Sequence, residues 1–249
     1  GSEMCIRDRD CYAPAGIGIG NDFDHSYGDI AVDMEGRLEI ISNSMDTLCI
    51  GGGYNEDDSE IDLRSGQIRI HMHSHNGLAI GSFNGDALID ISDKCKLELT
   101  VSGIKVTGIG SCKGIATISS SADIAISCTG AQAVAIGSLE DGEGSIYIKS
   151  GKLMMKMRSA KNSAIGAIKG NMNTRVENAD ISIDSEGDEI TGIGDALGTG
   201  NVAIIDSAVT MKILAANPKD IGTGSGDLKI VNSTVSSLIN NKVITHSNI

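Results

Sequence analysis

Apolar and polar positions alternate along most of the chain in short runs, and one apolar pair punctuates them at nearly constant intervals. An Ile-Gly pair recurs as Gly16-Ile17-Gly18, Cys49-Ile50-Gly51, Ala79-Ile80-Gly81, Gly108-Ile109-Gly110, Ala135-Ile136-Gly137, Ala164-Ile165-Gly166, Gly192-Ile193-Gly194 and Asp220-Ile221-Gly222. The steps from one Ile to the next are 33, 30, 29, 27, 29, 28 and 28 residues, a period that identifies a stacked-repeat architecture. Each interval holds two further alternating runs. The first is seen in Ile61-Asp62-Leu63, Ile89-Asp90-Ile91 and Ile146-Tyr147-Ile148, the second in Leu38-Glu39-Ile40, Ile68-Arg69-Ile70 and Leu97-Glu98-Leu99. A two-residue period turns branched apolar side chains to one face and polar ones to the other, which predicts strands with one buried face.

With the Ile-Gly stretch as a third strand, each turn reads as three short strands. Corners such as Glu35-Gly36-Arg37, Ser65-Gly66-Gln67 and Ser150-Gly151-Lys152 separate the first alternating run from the second, and glycine reaches the bend angles that other residues avoid. No helical period of useful length appears. A coil of about 28 residues exceeds the roughly 18 of a hexapeptide-repeat turn, so the expected fold is all-β, a right-handed parallel β-helix of about eight coils spanning residues 15–234. Stacked at about 4.8 Å per coil, these make a rod of roughly 35 to 40 Å. Residues 235–249, with Leu238, Val243 and Ile244 among Asn and Ser, are expected to cap one end or form a tail. Residues 1–14 lie outside the repeat, and Ser2 to Arg9 resemble translated sequencing-adapter read-through of metagenomic assemblies, so this segment is expected to be partly artefactual and the chain part of a longer one.

Composition sharpens this picture. The chain has 32 Gly but 2 Pro, 2 Phe, 4 Tyr and no Trp, so aliphatic and small side chains must fill the core. A formal net charge of -13 with 20 scattered Lys and Arg argues against nucleic acid as a partner. No run of about 18 apolar residues is present to insert into a membrane. The six Cys include no Cys-x-x-Cys pair, which favours free thiols, a reducing cytoplasm or an anaerobic habitat.

The Gly-Ile-Gly turns, Ile-x-Ile strands and glycine corners of residues 15–234 resemble repeat domains of large surface proteins of gut Firmicutes. More loosely they resemble clostridial carbohydrate-binding β-helices and the pectate-lyase-like right-handed parallel β-helix group. The resemblance implies a cell-surface role in adhesion or glycan contact, on the exterior of an anaerobic bacterium, and matches no family catalytic residue to a position here.

Two constellations could carry chemistry. In His71-Met72-His73-Ser74-His75 the alternation sets three imidazoles on one strand face, while Ile68, Ile70 and Met72 face the core. Next-nearest side chains on a strand lie about 6 to 7 Å apart, so two of them could share Zn2+, and all three only if the strand bends. A solvated His-rich face is the plainer reading. Asp62 and Asp90 occupy equivalent outward positions on neighbouring coils, about 4.8 Å apart, where paired acids could act as an acid/base pair or hold Ca2+. Arg64 beside them offers a neutralised charge cluster instead. The loops after the Ile-Gly pairs add Asp22, Asp24, Glu56, Asp57, Asp58, Asp86, Glu140, Asp141 and Glu143, hard oxygen ligands without the spacing of a known calcium loop. Few aromatic platforms exist for sugars. The expectation is a non-catalytic structural or adhesion module. A carbohydrate-binding or polysaccharide-active β-helix, with a glycan or other surface polymer as partner, and a cytoplasmic repeat scaffold are the alternatives.

Overall fold

The computed structural model describes residues 3–7, 15–20, 28–52, 58–140 and 142–247. Its strands form two parallel sheets that stack coil on coil into a solenoid of about seven turns, with no helix among the described residues. The count is one below the expected eight because eight Ile-Gly pairs enclose seven complete periods. One sheet holds short strands, among them Ser59–Leu63, Ala87–Ile91, Ile115–Ser120, Gly142–Ile148 and Gly170–Glu177. The other holds long strands of 14 to 17 residues, such as Arg37–Gly52, Gly66–Ser82, Cys95–Ser111 and Ala208–Ile221.

The long strands differ from the expected three-strand turn for a simple reason. The second alternating run and the Ile-Gly run are joined by a bend within the ladder instead of a loop. Pairing skips one residue per coil there, Met45, His75 and Ile104 in successive coils, and resumes at Asp46, Asn76 and Lys105. Because the unpaired residues face one another from coil to coil, every strand bends at the same place and the register is unchanged on either side.

Register follows the repeat. Ile50, Ile80, Ile109, Ile136, Ile165, Ile193 and Ile221 pair in succession down the core, and all are buried. Each such side chain stabilises the stack by about 1.5 to 3 kcal/mol relative to exposure. The glycine after each Ile has positive φ, from 148° at Gly51 to 112° at Gly194. A Cβ on Gly137 would lie 1.9 Å from the Gly166 carbonyl oxygen, and one on Gly81 1.7 Å from that of Gly110. Only glycine therefore lets neighbouring coils close at this edge.

The Ile-Gly strands are buried on both faces. Their outer face carries the column Leu48, Leu78, Thr107, Val134, Ser163, Thr191 and Lys219. The loop that follows each pair from Ile109-Gly110 to Ile193-Gly194 does not simply leave for solvent. Its first residue folds back as a second column, Cys112, Leu139, Ile168 and Ala196, whose N–H groups donate to Ser82, Ser111, Ser138 and Ala167 carbonyls of the coil before. Two satellite clusters result, Leu48 with Leu78 and Phe83, and Val134 with Leu139 and Ile168.

The ends are built differently. Glu3–Arg7 pairs in parallel with residues 37–41 although its sequence lacks the repeat's texture. At the other end Thr234–Ile239 adds to the long-strand sheet and turns back as the antiparallel strand Lys242–His246, through Asn240 and Asn241, both with positive φ. The Asn240 side chain accepts from Ala215 N–H at 3.0 Å and donates to its carbonyl at 2.8 Å, copying one rung of the ladder. Asp220, which takes the place of the small residues Ala79, Ala135 and Ala164 before the Ile, is held by His246 Nε2 at 2.7 Å.

Candidate functional site

Asp62 and Asp90 do pair in register on the short-strand sheet, as their sequence positions require. Each has its own neutralising partner. Arg64 Nε donates to Asp62 Oδ2 at 2.6 Å, and the hydrogen bond raises the Arg64 pKa above its ordinary value. Asp90 Oδ1 accepts from Ser119 Oγ at 2.6 Å and lies 3.7 Å from Lys149 Nζ.

The column does not stop at these acids. Ser119, Tyr147 and Arg175 continue it, each paired with the last across the next coil. The Arg175 guanidinium lies 5.6 Å and Lys149 Nζ 5.8 Å from the Tyr147 ring centre, within cation-π range. The Tyr147 hydroxyl donates to Glu177, which raises the phenol pKa, and that bond together with Arg175 holds the Glu177 carboxyl below its usual range. Tyr147 stood alone in the sequence. Reading the middle residue of each short strand across successive periods is the signal that joins it to Asp62 and Asp90.

Arg64 also lines an open groove of about 1320 Å3 at the corner between the two sheets, with Asp33, Ser65, Asp93, Lys94 and Lys96. Ser65 ties the corner together, donating to Asp33 Oδ1 at 2.5 Å and accepting from Met34 N–H at 3.0 Å. The groove and the Asp62 column together form a polar strip of mixed charge.

The three histidines lie on the outer side of Gly66–Ser82, with Ile68, Ile70 and Met72 buried beneath them. His71 and His73 share the straight part of the strand, beside Thr100 and Ser102 of the next coil, while His75 occupies the bend. His73 Nδ1 is 2.9 Å from Ser102 Oγ, which orients that ring. Among the described residues, no group of three or more His, Cys, Asp or Glu side chains is arranged to hold a metal ion. Of the loop acids, Asp22, Asp24, Glu56, Asp57 and Asp141 lie outside the described residues. Glu140 is engaged by Lys105 and Lys113, and the Lys105 hydrogen bond holds its carboxyl below the usual range.

The four thiols among the described residues are unsuited to nucleophilic work. Burial pushes Cys49, Cys112 and Cys128 up to about 12 and Cys95 up to about 11, far from the depressed values of reactive cysteines. Compared with known proteins, the chain is matched by no family model, no curated protein and no solved structure.

Proposed function

We propose that the chain is a structural β-solenoid module of a bacterial cell-surface protein, a rigid spacer or adhesion segment without catalysis of its own. The observation that carries this reading is how the outward polar groups are used. Arg69 bonds Glu98 at 2.8 Å, Arg158 bonds Asp184 at 2.8 Å, Lys161 pairs with Glu189 at 2.9 Å, and Asn76 bonds Asp46 at 2.7 Å. Each pair joins one coil to the next, so charge is spread along the rod as ties instead of being concentrated at a reacting centre. Exposed pairs of this kind add little stability singly but hold register as a network.

A second reading, an acidic-glycan site dependent on Ca2+, is supported by the polar column from Asp62 to Arg175 beside the corner groove. One experiment separates the two. The chain is placed on a glycan array with and without Ca2+, and incubated with acidic polysaccharides while new reducing ends are measured. The structural reading expects no turnover and no Ca2+-dependent retention. Product release, or retention abolished by Asp62→Asn with Asp90→Asn, would replace it with the glycan reading.

A further inference from the structure

Among the described residues the covering of the Ile-Gly strands thins towards the C-terminal end. Along the loop column the residue that packs over their outer face is Leu139, then Ile168, and then Ala196, so the filler loses its bulk beside Ile193, one coil before the last Ile-Gly pair. The next residue, Leu197, is 77 % exposed and does not replace it. A groove of about 730 Å3 opens there, bounded by Leu139, Ile168 and Leu197 on the loop side and by Pro218 on the strand side. That volume lies in the range of small-molecule sites.

Its charge differs from the rest of a chain of net charge -13. Both acids that line it are engaged, Glu140 by Lys105 and Lys113 and Glu189 by Lys161. Two further lining cations, Lys169 and Lys219, form no salt bridge within 4 Å among the described residues, although Glu140 feels the charge of Lys169 and Asp195 that of Lys219. Lys219 Nζ is fixed at the groove by the carbonyls of Asp195 and Ala196, at 3.4 and 3.0 Å. Those bonds orient the ammonium without neutralising it.

We propose that this groove binds a small monoanion with an aliphatic body, a medium-chain carboxylate, whose tail lies along Leu139, Ile168, Leu197 and Pro218 and whose carboxylate meets Lys169 and Lys219. The tail takes the space that a larger residue at position 196 would fill. The carboxylate supplies the direct ion-pair contact that neither lysine makes among the described residues.

Calorimetric titration with octanoate, against octan-1-ol as the neutral control, tests this. Octanoate binds one to one and at least about tenfold tighter than octanol, a difference of about 1.4 kcal/mol. Lys169→Gln with Lys219→Gln removes that preference and leaves octanol unchanged. Ala196→Leu abolishes both. Leu197→Asn, a change at an exposed position, weakens both and serves should Ala196→Leu fail to fold. No saturable binding at about 1 mM octanoate, equal binding of acid and alcohol, or full binding by a folded Ala196→Leu variant would each overturn the proposal.

Discussion

The glycine ladder makes a sharp distinction between two substitutions that look alike in sequence, Gly137→Ala and Gly222→Ala. Both follow the repeated Ile and both have positive φ, 135° and 121°, so each alanine bears backbone strain of about 1 to 3 kcal/mol. Both also gain the same small benefit from a less flexible unfolded chain, about 0.4 to 1 kcal/mol. They differ in what the new methyl meets. At position 137 it would sit 1.9 Å from the Gly166 oxygen, whereas at 222 nothing lies within 4 Å. A carbon and a carbonyl oxygen need about 3.3 Å, so the coils around Gly137 must part by more than an ångström. That breaks two or three ladder hydrogen bonds at about 1 kcal/mol each and loosens the packing of Ile136 on Ile165 beneath them. Gly222→Ala is therefore expected to cost at most about 2.5 kcal/mol, and Gly137→Ala about 2 to 3 kcal/mol more. Urea denaturation followed by circular dichroism, comparing midpoints at unchanged slope, measures the gap. Equal midpoints for the two variants would refute the claim that coil contact, over and above φ, selects these glycines.

Other expectations follow from single groups. Burial alone would raise the Asp220 carboxyl, but hydrogen bonds from His246 and the Ile221 N–H outweigh it and hold it below the usual range. Its contribution is thus present above about pH 3.9 and lost as pH falls through the lower folded value. At pH 7, His246→Ala should cost the terminal hairpin about 2 kcal/mol of hydrogen-exchange protection, and unchanged protection of residues 234–246 would count against the contact. Asp195 is the opposite case. Burial raises its carboxyl more than the N–H groups of Met172, Gly200 and Ala167 lower it, so its effect favours folding below about pH 3.9 and fades as pH rises through the raised folded value. Asp195→Asn must set an amide NH2 against the N–H of either Ala167 or Met172 and should cost about 1 to 3 kcal/mol at pH 7. The deficit should widen as pH falls, and a urea midpoint equal to the parent's would contradict the assignment. The four buried or half-buried thiols should resist alkylation at pH 8 in the native chain and react together in urea, and selective native labelling of Cys112 by mass spectrometry would show its loop to be open.

Much of this architecture is legible in the sequence because a solenoid is close to one-dimensional, each coil touching only its neighbours. The period sets the register, and the register places Asp62 opposite Asp90. Two features escaped for physical reasons. The strand Gly170–Glu177 buries Met172, Thr174 and Val176, and the threonine in an inward position breaks the apolar alternation by which the other short strands announce themselves. The double burial of the Ile-Gly strands depends on loops returning over them, and loop direction has no periodic signal. In Ile115–Ser120 the same local rule misleads, since Ile115 is exposed while Ala116 and Ile118 are buried. Strand phase there comes from stacking on Ile89 and Ile146, not from the strand's own residues.

The same one-dimensionality explains why fold was easier to read than chemistry. In a globular enzyme, side chains distant in sequence converge at one point, and their types and spacing betray the reaction. Here a residue's lateral neighbour is always its counterpart about 28 positions away, so every outward position belongs to a column and any site must be written along columns. Asp62, Asp90, Ser119, Tyr147 and Arg175 form such a column, but no two adjacent members repeat a ligand set after Asp90, and each finds its partners within two coils. A column that recognised a regular polymer would repeat its chemistry coil after coil, as the Ile and Gly columns do for the core. The groove beside Ala196 departs from this rule in the informative direction. It arises where one column stops repeating, its filler falling from Ile168 to Ala196, while the walls continue. In a repeat protein whose core is uniform, such a local break in one column is where a discrete ligand, as opposed to a polymer, finds room.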